Sequence, residues 1–124
     1  MKKVRLGDGK MFEYGIDTLE VVLGPEQGAE NIIVYRTVHD PGEVSEPEQH
    51  VHDISEDVIF ILEGEGEMIL GEERERVPFE EGDVLLIPPG ERHGTENTGD
   101  TPLVRLTCHA PPDPDEAALY GDPK

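Results

Sequence analysis

His50-Val51-His52 is the first group in the chain with the makings of a site. On an extended strand, residues i and i+2 point to one side, so the two imidazoles lean into one space. Imidazole is the commonest side-chain ligand for divalent metals of borderline softness. Glu56 and Asp57 follow within five residues and bring carboxylate oxygens. The second group runs Gly82-Asp83-Val84-Leu85-Leu86-Ile87-Pro88-Pro89-Gly90-Glu91-Arg92-His93-Gly94-Thr95-Glu96-Asn97. A strand enters from Gly82, the chain turns at Pro88-Pro89-Gly90, and the turn fixes where the His93 ring points. Together these groups offer capture of a metal ion. Taken singly, each has a plainer reading: two histidines on a surface strand, and an exposed turn histidine followed by a turn-making Asn97.

The elements that would position these residues are strands. Gly and Pro punctuate the sequence at short intervals, and between them lie brief runs rich in Val, Ile and Leu. The runs are Thr18–Leu23, Asn31–Val38, Val58–Leu62, Gly66–Leu70, Asp83–Ile87 and Pro102–Cys108. Short strands at regular spacing with turn signals predict an all-β sandwich or barrel. Gly64-Glu65-Gly66 and Gly71-Glu72-Glu73 read as hairpin turns. Val58-Ile59-Phe60-Ile61-Leu62 is apolar without alternation, which predicts a strand buried on both faces, mid-sheet or under a subunit interface. Asp113, Pro114 and Gly121 could bound one short helix in the tail.

Composition narrows the function classes. The 124 residues suit one domain, with one hydrophobic core. Ten basic against 29 acidic residues give a formal charge of −19. That field repels phosphate backbones and anionic membrane surfaces, so neither nucleic acid nor membrane is an expected partner. No run approaches the apolar length of a membrane span. The basic start Met1-Lys2-Lys3-Val4-Arg5 is followed by no apolar signal core, so no export signal is expected. Cys108 is the sole cysteine, which leaves no intrachain disulfide and points to the reducing cytoplasm.

The two histidine groups together resemble the motifs of the cupin superfamily, and in particular its small one-domain members. The family's second motif reads G-x5-P-x-G-x2-H-x3-N, and Gly82, Pro88, Gly90, His93 and Asn97 match it at every spacing. The first motif reads G-x5-H-x-H-x(3,4)-E-x6-G, which His50, His52 and Gly64 match. Two departures stand out. Seven residues separate Gly42 from His50 instead of five. The position separated from Gly64 by six residues is Asp57, where the family has Glu, while Glu56 fits only the shorter spacing from His52. The resemblance covers about residues 31–110, leaving 111–124 as a C-terminal tail of the same domain.

The resemblance implies a double-stranded β-helix, or jelly roll, of two antiparallel sheets. It implies one divalent metal held by His50, His52, His93 and a carboxylate, which strand register assigns to Asp57 over Glu56. Fe, Mn or Ni would keep open positions for a chelating oxygen substrate or O2; Zn or Co are the other options. Family members include dioxygenases, decarboxylases, isomerases and non-catalytic sugar binders, so the fold does not choose the function. The expectation is a metal-dependent enzyme on a small oxygen-rich substrate, with a non-catalytic sugar- or small-acid-binding module as the alternative. No residue stands out as a separate catalytic base.

In similar small cupins, alternate residues of the last strand line the pocket, which would place Arg105 and Thr107 inward, with Tyr35 and Thr37 from the earlier strand. The apolar pattern Val104, Leu106, Cys108 argues for the opposite register. Arg36 reads as solvent-pointing, and His39 and His109, outside both motifs, read as structural. A homodimer is expected, because the apolar central strand and the segment Phe12–Leu23 carry too little core of their own.

Overall fold

The computed structural model describes residues 1–14, 17–45 and 54–112. They form ten strands: β1 (Lys10–Tyr14), β2 (Asp17–Leu23), β3 (Ile33–His39), β4 (Val44–Ser45), β5 (Glu56–Glu63), β6 (Glu65–Leu70), β7 (Glu75–Glu80), β8 (Val84–Ile87), β9 (His93–Glu96) and β10 (Leu103–Ala110). A six-stranded sheet has the order β1-β2-β3-β10-β5-β8, and a four-stranded sheet the order β4-β9-β6-β7. Every pairing is antiparallel. The two sheets face each other as a jelly-roll sandwich. Among the described residues no helix is long and apolar enough to cross a membrane.

Alternation along the strands builds the interior. On β5, Asp57, Ile59 and Ile61 are buried, while Phe60 and Leu62 on the other face are 37% and 36% exposed. The unbroken apolar run lies mid-sheet between β10 and β8, with one face on the core and the other open in the single chain. Ile59, Ile61, Ile87 and Leu103 of the large sheet meet Met68 and Phe79 of the small one. Truncating one such aliphatic chain to Ala typically costs about 2–5 kcal/mol. A second cluster joins Leu19, Val21 and Ile33, with Phe12 and Tyr35 packed against it. It gives the β1–β2 hairpin a footing on β3.

Close approach requires glycine at position 66. A Cβ on Gly66 would stand 2.3 Å from the Glu96 carbonyl oxygen and 2.9 Å from Phe79 Cζ. The N-terminal segment is clamped by Glu20, a fully buried carboxylate on β2. It accepts hydrogen bonds from the Gly7 amide at 2.8 Å, the Gly9 amide at 2.7 Å and Arg36 Nε at 2.9 Å. Arg36 thus spends its charge on Glu20, not on bulk solvent. The tail helix expected around Asp113–Gly121 falls outside the described residues.

Candidate metal centre

Asp57 enters β5 directly across the ladder from His109 of β10, and on its other side from Ile87 of β8. The Ser55 hydroxyl donates to the Pro111 carbonyl and braces the same end of this pairing. Asp57 is 2% exposed, whereas Glu56, of opposite phase, is exposed. His109 Nδ1 lies 2.5 Å from Asp57 Oδ1. The carboxylate accepts only, unless protonated, so the ring nitrogen is the donor. Asp57 Oδ2 is 3.5 Å from His93 Nε2.

His93 opens β9 on the opposite sheet. Gly90, at φ 83°, completes the preceding turn in a left-handed conformation that favours glycine. His93 Nδ1 donates to the Glu91 carbonyl at 3.1 Å. That bond puts a proton on Nδ1, so in the neutral ring Nε2 carries the lone pair. Asn97 closes the motif: its Nδ2 donates to the His39 carbonyl at 3.0 Å and the Thr101 carbonyl at 2.9 Å, and its Oδ1 accepts from the Gly99 amide at 2.9 Å.

Further along the interior, Arg105, Thr107 and His109 share the buried face of β10 at 8%, 1% and 0% exposure. Leu106 and Cys108 are only half-buried on the other face, so the polar residues of this strand point in. Arg105 Nη2 and Nε reach His39 Nε2 at 2.8 and 3.2 Å. A guanidinium can only donate, so His39 is neutral with its proton on Nδ1, which stands 3.8 Å from Glu43 Oε2. Among the described residues Thr107 Oγ1 is buried without a hydrogen-bond partner. Tyr35 lies across from Thr107 and packs on the Leu19–Val21–Ile33 cluster.

A family model described as the cupin domain matches residues 35–109, more than half of the chain. The chain belongs to the cupin family. This cupin is 44% identical over 63 residues to an uncharacterized protein of Methanocaldococcus jannaschii, a stretch covering 51% of the chain and 49% of that protein. It is 39% identical over 57 residues to the oxalate-binding protein of Thermotoga maritima, covering 46% of each. The chain spans about half the length of these curated relatives. The polyketide cyclase of Streptomyces resistomycificus superposes with a TM-score of 0.79 at 23% identity, over 92% of this chain and 82% of that one. That likeness is one of fold.

The donor chemistry of this cupin fits a divalent cation. A neutral Nε2 lone pair facing a carboxylate oxygen is repulsive unless a proton or a cation lies between them. Two donors each about 2.1 Å from one ion stand roughly 3.0–3.4 Å apart, close to the 3.5 Å between Asp57 and His93. His50 and His52, the other two expected ligands, lie outside the described residues. Among the described residues no group of three or more His, Cys, Asp or Glu side chains forms a metal cluster by itself. Cys108 sits on the outer face of β10, where partial burial and the Asp57 charge push its thiol pKa up and disfavour the thiolate a metal would need.

Both histidines outside the motifs, read as structural from sequence, touch residues singled out for the site. His109 meets Asp57 and His39 meets Arg105. Same-face arithmetic carried a signal for His109: it follows Arg105 and Thr107 at the period-two spacing of a strand.

Proposed function

We propose that this cupin is a metal-dependent enzyme acting on a small, oxygen-rich, anionic substrate, of the oxygenase, decarboxylase or isomerase kind. In this reading His50, His52, Asp57 and His93 hold one divalent ion, with Fe, Mn or Ni favoured over Zn or Co. The observation that carries it is the Asp57–His93 contact, an imidazole Nε2 and a carboxylate oxygen 3.5 Å apart inside the barrel. When bound, the ion would supply a Lewis acid and open positions for substrate oxygens.

The chain's own residues do the rest. Arg105, oriented by His39, offers a buried cation to a substrate carboxylate. Thr107 Oγ1 offers a hydroxyl on the same face, and Tyr35 borders it. Ile59, Ile61 and Met68 keep bulk water from the interior and so strengthen each polar contact.

A second reading is a small-acid-binding module without turnover. The chain's similarity to the oxalate-binding protein of Thermotoga maritima favours it. The two readings part on one experiment. Metal-loaded protein is screened by thermal shift against small mono- and dicarboxylates, then hits are incubated and followed by mass spectrometry. Consumption of a binding acid supports the enzyme; tight binding with the acid returned intact supports the module. No stabilisation by any acid contradicts both.

As further parts of this proposal, the chain is one cytoplasmic domain that works as a homodimer without nucleic-acid or membrane partners. The open face formed by Phe60, Val84 and Leu86, at 37%, 57% and 62% exposure, is where a second copy would dock. Every copy presents that apolar face, so a two-fold contact is self-complementary.

A further inference from the structure

The family's metal carboxylate is a Glu, and here it is replaced by a side chain shorter by one C–C bond, about 1.5 Å. An Asp on a strand also has a carboxylate that swivels in a broad torsional well. Shortness and swivel should both weaken a ligand. Yet Asp57 is held in place by His109. His109 is its ladder partner, so the two Cα atoms are fixed opposite each other. The His109 ring is fully buried, with the equally buried Ile33 across the ladder on its far side. Its Nδ1–H on Oδ1 at 2.5 Å fixes the rotation of the carboxylate and leaves Oδ2 toward His93 Nε2. The Ser55–Pro111 bond braces the same end of the ladder.

We propose that His109 is the positioning residue that makes the short Asp57 carboxylate a competent metal ligand. The Asp57–His109 pair does together what a longer Glu does alone. The inference rests on the metal-binding reading above and adds a role for a residue outside both motifs. A Glu at 57 would have to fit one more methylene between β5 and a carboxylate that already touches the His109 ring.

The test uses Co(II), whose visible spectrum reports its coordination, titrated into the full chain stripped of metal. Wild type should bind one equivalent. His109→Leu, of similar bulk without a donor, should lose about 10–100-fold in affinity and change the Co(II) spectrum, as losses of partners behind a ligand do. His109→Gln, which keeps an N–H donor, should retain most of the affinity. Asp57→Glu alone should bind poorly, because it is overpacked. Asp57→Glu with His109→Ala should recover affinity that either change alone loses. A folded His109→Leu protein that binds Co(II) as wild type does would overturn the proposal. So would a double variant no better than the poorer single one. Should the Leu variant not fold, the Gln variant and the double variant decide by the same comparison. A wild-type chain that binds no Co(II) would sink the metal reading itself, and this inference with it. A metal-free check is the Nδ1–H proton resonance of His109, which should lie far downfield and move upfield in Asp57→Ala. Its absence from wild type also contradicts the proposal.

Discussion

Asp57 Oδ2 and His93 Nε2 face each other across 3.5 Å from opposite sheets of the sandwich. Asp57 arrives on β5 and His93 on β9, two strands that share no ladder. Nothing local brings them together; the closing of the jelly roll does.

That contact separates two neighbouring carboxylates. Asp57→Ala should lower divalent-metal affinity by at least about tenfold, the scale of a lost charged ligand contact. Glu56→Ala, an exposed residue of opposite phase, should leave affinity within about twofold of wild type. Calorimetric titration with Mn(II) checks both. An emptied site in Glu56→Ala with a full one in Asp57→Ala would mean that the strand phase is wrong.

Arg105 should not tolerate its nominal conservative replacement. Lys lacks the planar fork that donates to His39 through both Nε and Nη2. Arg105→Lys should weaken binding of whichever small carboxylate stabilises the wild type by about tenfold or more, while metal affinity changes little. Thermal-shift titrations of acid and metal in parallel read the two effects separately.

Asn97 contributes through the fold. Its amide satisfies two carbonyls and one N–H at once and ties the turn after β9 to the end of β3. Asn97→Ala leaves those groups buried or half-buried without partners, and should cost about 2–4 kcal/mol. Urea unfolding, with an unchanged slope and a lower midpoint, is the expected record.

The open face of the large sheet should be a subunit contact. Wild type is expected to run as a dimer in light scattering at micromolar concentration in moderate salt, which screens the −19 charge. Leu86→Glu places a carboxylate at the most exposed of the three apolar side chains and should shift the mass to a monomer. A monomeric wild type contradicts the assignment.

Much of the fold was legible because its signals were local. Turn chemistry at Pro88-Pro89-Gly90 and alternation in the Val-rich runs are short-range properties, and they pointed to β2, β3, β5, β6, β8 and β10. A strand opening at His93 was expected and β9 is that strand, but its length and the whole of β7 were not legible. β7 reads Glu-Arg-Val-Pro-Phe-Glu with only Phe79 buried, and β9 reads His-Gly-Thr-Glu. Pairing with β6 makes both of them strands, and pairing is a long-range fact. The inward register of Arg105 was ambiguous for a related reason. The apolar residues of β10 mark the outer face here, since the interior holds polar groups. His39 gave no local sign, because what defines it is Arg105, on a neighbouring strand far away in sequence.

Metal content is the property that decides between a metal centre and an ordinary buried ion pair at Asp57 and His93. The most direct measurement is elemental analysis of untagged protein, purified without chelator from cells grown with Fe, Mn and Ni. The expected result is about one equivalent of a divalent transition metal per chain, lost in His93→Ala. Protein that stays metal-free after incubation with each ion, and melts at the same temperature with and without it, would contradict the central claim.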